Sequence, residues 1–225
     1  TRFLRENDDD IFIRDYRLVG IKDKVQKSSY KSFITLVSSM KPYGLRGDFF
    51  KDASKYNLPP VKEIKGSHDI TIYGLDQQLH RVKRYVTSNY PFPQKDGIDK
   101  YKIFIPRNYG TGRLDDITYK TILAEPGSAC TETFIQISPF DNSFERDNCN
   151  RYMSTKFFRT LVGIRKQDQG AGRDVYRFVP LQDFTSSSDI DWSLSIAEID
   201  AQLYKKYGLS DAEIAFIEKM IKPME

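Results

Sequence analysis

Between Tyr152 and Arg165 the sequence reads YMSTKFFRTLVGIR, in which apolar residues recur at helical spacing while the charged positions carry one sign. Phe157, Phe158, Leu161, Val162 and Ile164 follow the i, i+3, i+4 pattern of a helix packed on a core. Arg151, Lys156, Arg159, Arg165 and Lys166 are all basic, and no acid falls between Asp147 and Asp168. A chain holding such a segment has to build a core against one side of it. The opposite, basic side is predicted to face a polyanion.

With 225 residues, 39% of them apolar and 13% aromatic, the chain is long enough and hydrophobic enough to bury a substantial core. No run approaches the roughly 18 apolar residues that cross a bilayer, so a membrane role is not expected. Two cysteines, Cys130 and Cys149, make no disulfide framework and have no metal-type spacing, which fits the cytoplasm. His68 and His80 are the only histidines, too few for a histidine-rich metal site. The first residue, Thr1, is not methionine, so the chain is expected to be a piece of a longer polypeptide.

The net charge of +4 is modest but unevenly spread. Lys41 to Arg113 holds 14 Lys/Arg against 7 Asp/Glu, and Arg151 to Ser188 holds 7 against 3. The tail from Asp189 to Glu225 reverses this, with 4 against 8. Clustered positive charge in a nearly balanced chain suits an anionic partner such as nucleic acid.

Local patterns predict a mixed α+β fold in two parts, residues 1–188 and a C-terminal helical hairpin over 189–225. Asp8-Asp9-Asp10 reads as a solvated start, and Asp10 to Gly20 alternates as a strand or entry segment. Lys27 to Met40 reads as a helix capped by Ser28 or Ser29, with Phe33, Leu36 and Val37 inward. Strands are expected over Asp69 to Gly74, His80 to Val86, Tyr101 to Pro106, Thr121 to Ala124, Thr131 to Ile137 and Val175 to Pro180. Loops fall at Lys41 to Phe50, Ser88 to Gly97, Arg107 to Arg113 and Lys166 to Arg173. Ser195 with Glu198, and Ser210 with Glu213, are capping boxes that open two short helices, with Gly208 closing the first and Pro223 ending the second.

Six stretches in this order resemble the C-terminal target-recognition region, of the TaqI-like specificity type, of bacterial restriction-modification N6-adenine DNA methyltransferases, including those fused to restriction endonucleases. They are Lys31 to Phe50, Tyr101 to Pro106, Cys130 to Phe134, Tyr152 to Arg159, Arg177 to Phe184, and the tail from Asp191 to Pro223. None is a catalytic signature. The resemblance implies a cytoplasmic module that grips double-stranded DNA beside a methyltransferase domain located upstream in the same polypeptide. That parent would use S-adenosylmethionine, while this fragment would carry no cofactor, no metal and no catalytic residue. Ser88-Asn-Tyr-Pro-Phe-Pro-Gln94 is not the Asn-Pro-Pro-Tyr/Phe loop that holds an adenine amino group, because Tyr90 interrupts the order.

Twelve residues are candidate DNA contacts. Lys156, Arg159, Arg165 and Lys166 would touch phosphates from the basic side of the helix, giving affinity and salt dependence. Arg46, Arg113, Gln167, Gln169 and Arg173, on loops, would read base edges. Lys41, Tyr43 and Tyr109 complete the set, the tyrosines as stacking surfaces. A metal-dependent restriction endonuclease is the rival, built on Glu63-Ile-Lys65 or on Asp96 through Lys102. A third reading, a protein-interaction module, requires an exposed apolar patch on the tail.

Overall fold

A computed structural model describes residues 13–27 and 30–224. The acidic cluster Asp8-Asp9-Asp10 and the helix cap expected at Ser28 or Ser29 lie outside those residues. The architecture is α+β, with five helices and two three-stranded sheets among the described residues.

Strand β3 (Tyr101–Pro106) divides the molecule. Its run YKIFIP is buried on both faces, as a near-continuous apolar segment should be. Ile103 and Ile105 face the larger core, whereas Phe104 faces the smaller one. β3 pairs antiparallel with β4 (Ile122–Ala124) and with β6 (Phe134–Phe140). The second sheet has order β2-β1-β5, from β1 (Ile70–Leu75), β2 (Arg81–Val86) and β5 (Ser128–Cys130). The strand expected from Thr131 begins only at Phe134, because Thr131 and Thr133 form a turn closed by a 2.8 Å hydroxyl contact.

Three expectations near the larger core need correction. Arg17–Lys27 is helix α1, not an extension of a strand: Leu18, Ile21 and Val25 are one helical face and all three are buried. Lys27 to Met40 is not a helix. Ser32 caps a short 3₁₀ turn, Phe33–Leu36, and the flanking chain is extended, with Phe33 N–H bonded to Val179 O at 2.8 Å and Ser38 N–H to Gln136 O at 2.9 Å. β-branched Ile34, Thr35 and Val37 favour that outcome, and Phe33 and Val37 still point inward. Arg173–Tyr176 is likewise a 3₁₀ turn where a strand was expected, leaving Pro180 in an isolated bridge with Ser32.

The segment Tyr152 to Arg165 is two helices. α2 (Ser143–Ser154) ends and α3 (Lys156–Arg165) begins at Thr155, whose hydroxyl donates to Tyr152 O at 2.7 Å and accepts from Phe158 N–H at 3.1 Å. The two capping boxes form as expected and open α4 (Ile196–Lys206) and α5 (Asp211–Met220). These last helices insert Ile199, Leu203, Ile217 and Ile221 into the larger core, and Phe157 stacks on Tyr207 with ring centroids 5.0 Å apart. Gly163 lets α3 pack closely, since a Cβ there would meet Leu114 Cδ1 at 2.3 Å.

Asp200 of α4 completes the N-terminus of α3. Its carboxylate accepts from Lys156 N–H at 2.9 Å and Phe157 N–H at 2.8 Å, the two amides that Thr155 leaves over. Burial pushes the Asp200 carboxyl up to about 6, against the opposing pull of those two hydrogen bonds. The native state therefore holds a proton that the unfolded chain has lost between about pH 4 and pH 6, so stability falls as pH rises through that window, by about 3 kcal/mol. In Asp200→Asn, with one acceptor lost, denaturant melts should show a cost of about 1–2 kcal/mol and a flatter stability profile between pH 4 and 6; an unchanged slope would dissociate it from Asp200.

Candidate nucleic-acid interface

The structure sorts the twelve candidate residues by what surrounds them. Four are inside the protein: Tyr43, Tyr109, Arg159 and Lys166 are each at most 8% exposed. The basic side expected for α3 is therefore not a surface. Seven of its ten residues are buried, and none is exposed, because α1, α2, α4, α5 and the Arg173–Tyr176 turn surround it. Arg159 points its guanidinium at Thr155 O (3.3 Å) and Ile117 O (3.4 Å), so it satisfies backbone carbonyls and reaches no phosphate in this conformation. Lys156 pairs with Glu218 of α5 at 2.5 Å, and Arg165 pairs with Asp174. Tyr43 bonds Gln136 in the smaller core, and Tyr109 meets the Tyr176 hydroxyl at 3.3 Å in the larger one.

The loop candidates behave differently. Arg46, Arg113, Gln167, Gln169 and Arg173 are all exposed, and Lys41 is partly so. Four of these come together because two loops run side by side. Tyr109 N–H bonds Gln169 O at 3.0 Å, Ala171 N–H bonds Arg107 O at 2.8 Å, and Asn108 bridges Gly170. Gly112, at φ 83°, sits where a Cβ would come within 2.4 Å of the Gln167 and Asp168 backbone. Its missing side chain admits the neighbouring loop.

Two cations hold this pair of loops from below. Lys166 Nζ donates to Tyr109 O (2.7 Å) and Asp168 O (2.5 Å), and lies 4.4 Å from the Tyr109 ring centroid. Burial pulls the Lys166 ammonium below its ordinary range. Arg14 spans the loops, from Gly112 O at 3.3 Å to Gln167 O at 2.7 Å. Arg113 is held by Asp115 in a two-point pair (3.0 and 3.2 Å), and Arg173 by Ile34 O at 3.2 Å. A shallow pocket of about 360 Å³ opens between Arg165, Gln167, Asp168, Gly170 and Val175.

A second pocket, also about 360 Å³, adjoins the same loops through Arg107 and Asn108. It brings in Gly47, beside Arg46, which approaches Glu132 at 3.8 Å, and Arg81 of β2. Sequence reading passed over Arg81 and Arg107. The signal available was the basic alternation of RVKRYV and the arginine directly after the clearest strand, both of which mark side chains at strand ends rather than in a loop motif.

Among the described residues, no group of three His, Cys, Asp or Glu is placed to hold a metal ion. Glu63, of the nuclease reading, is exposed and paired with Arg84 at 3.2 Å. Cys130 and Cys149 are buried, and burial pushes both thiols well up. No helix among the described residues is long and apolar enough to cross a membrane. The tail's large apolar residues pack on the core, and the large exposed apolar side chains among the described residues, Tyr16, Met40, Ile64, Leu79, Leu123 and Phe144, all lie outside the tail.

No protein-family model matches the chain, and no curated protein matches it. The resemblance to adenine-methyltransferase recognition regions thus stands on the quoted segments alone. The loop pairing itself can be tested apart from any function. Lys166→Met should leave Tyr109 O and Asp168 O without their donor and cost about 2–4 kcal/mol in urea melts, with faster proteolytic cleavage over residues 167–173; unaltered cleavage there would show that Lys166 does not hold the loops.

Proposed function

We propose that this chain is a sequence-specific DNA-binding, target-recognition fragment of a bacterial restriction-modification enzyme. Its adenine methyltransferase domain, using S-adenosylmethionine, would lie upstream in the same polypeptide. The observation that carries the reading is the pairing of residues 107–113 with residues 167–173, which gathers Arg107, Arg113, Gln167, Gln169 and Arg173 along one rim. Arginine donates two hydrogen bonds to guanine O6 and N7, and glutamine matches adenine N6 and N7. A rim carrying both types, on backbone fixed from beneath, has the chemistry that base reading requires.

Phosphate gripping, on this reading, belongs to the rim and not to α3. Arg107 has no ion-pair partner among the described residues, and Arg173 bonds only a backbone carbonyl, so both guanidiniums keep donors for a phosphate. Lys156 and Arg165 already face carboxylates.

A duplex pool of random sequence measures the electrostatic part of binding. Affinity should fall with salt, each phosphate contact adding about −0.9 to the slope of log K against log salt. Arg107→Ala and Arg173→Ala should each flatten that slope by about 1, while Lys156→Ala should leave it unchanged. Absent binding, or binding indifferent to salt, would remove this reading.

A further inference from the structure

The pocket between the β1–β2 turn and the Arg107 loop has a composition that rim contacts do not require. Leu79, at the tip of that turn, is 70% exposed and holds a left-handed backbone at φ 65°. Branched aliphatic side chains seldom adopt that conformation. The turn is fixed around it: Asp76 Oδ1 accepts from Gln78 N–H at 2.9 Å and His80 N–H at 2.8 Å, and Leu79 N–H bonds Asp76 O at 3.2 Å. Leu79 is therefore displayed by a rigid support.

Below Leu79 the pocket of about 360 Å³ has apolar walls from Leu75 and Pro106, with Arg81 and Arg107 also lining it. Leu75 and Arg81 are direct partners across β1 and β2, so both face this space. Neither arginine has an ion-pair partner among the described residues; Arg81 has only the Phe134 ring, 5.9 Å from its guanidinium carbon. Glu132 also lines the pocket, with Oε1 on Gly47 N–H at 2.9 Å and Oε2 3.8 Å from the Arg46 guanidinium, an exposed and loose pair that leaves lone pairs for a further donor.

We propose that this pocket receives one unstacked nucleobase of a nucleic-acid strand, with Leu79 as the wedge that keeps it out of the stack. The inference rests on the DNA-binding reading and names a subsite of the same surface. Leu75 and Pro106 offer apolar contact to the face of a base, a carboxylate accepts from base N–H groups, and the two guanidiniums without an ion-pair partner among the described residues take the flanking phosphates. Apolar side chains inserted between base steps are a general means of holding a strand open. A purely apolar ligand would leave both arginines unused, and a bare anion would leave Leu79 exposed.

The test titrates the full chain with two DNA duplexes of one sequence, one fully paired and one bearing a single unpaired 2-aminopurine. The bulged duplex should bind about tenfold more tightly, from the stacking of one base, with a change in 2-aminopurine fluorescence. Leu79→Ala should abolish that preference and leave affinity for the paired duplex unchanged. Leu79→Gly should abolish it as well while raising Tm by about 2 °C, since glycine relieves the left-handed backbone. Arg81→Ala should weaken the bulged complex more than the paired one. Equal binding of both duplexes, or a preference surviving in Leu79→Ala, overturns the pocket while DNA recognition stands; binding of neither overturns both.

Discussion

Helix α3 has no side turned to solvent, and each polar group on it has to find a partner within the protein. Its first amides are met by Thr155 and Asp200, its middle by the reach of Arg159 to two carbonyls, and the residue after it by Lys166 under the paired loops. These contacts are not independent decorations. A helix buried with unmet amides or a stranded guanidinium would lose more than its apolar side chains gain, because an unpaired polar group costs about 1–3 kcal/mol and a charge costs more. The surrounding elements are positioned as much by these polar demands as by the aromatic cluster of Phe33, Tyr152, Phe158 and Tyr176.

Three of the buried cations share one solution, whereas Arg146 pairs with the carboxylates of Glu125 and Asp147. Arg159, Lys166 and Lys102 are each about 1% exposed or less, and each bonds backbone carbonyls rather than a carboxylate. Lys102 donates to Ile98 O at 2.9 Å and Ser128 O at 3.0 Å, and burial draws its ammonium down to about 8. A carbonyl partner leaves the charge only partly compensated, and through such carbonyls these groups tie loops and strand ends together. Lys102 closes the turn that leads into β3, and Lys166 closes the loops that leave β3 and α3. The same device thus brackets both ends of the central strand.

This is also why the sequence was legible in some places and not in others. The YKIFIP strand and the Ser195 and Ser210 capping boxes are local codes, complete within a few residues, and each folds as its pattern reads. The basic run from Arg151 to Lys166 is not a local code. Lysine and arginine with no nearby acid look solvated, yet their partners here are carbonyls at Ile117, Tyr109 and Leu194 and carboxylates at Asp174 and Glu218, all distant in sequence or invisible as charge. The break at Thr155 was hidden for a related reason. A single threonine inside a helical pattern reads as continuation, and the second helix start that Thr155 caps is completed by the carboxylate of Asp200, 45 positions on.

The candidate surface inherits its order from that buried helix. Residues 107–113 and 167–173 are rich in glycine and polar side chains, and on their own would sample many conformations. Lys166, fixed at the end of α3, and Arg14, just before α1, fix their backbones against each other and leave the long polar side chains on the outer edge. Order in the backbone beneath exposed polar side chains lets a surface meet a partner with little entropic cost. At the β1–β2 turn the arrangement is reversed in chemistry but not in logic. There Asp76 fixes a tight backbone so that an apolar side chain, Leu79, stands out from it at a left-handed position. Leu79 joins neither core; its left-handed position sets the side chain at a pocket lined also by Glu132 and by Arg81 and Arg107, which have no ion-pair partner among the described residues.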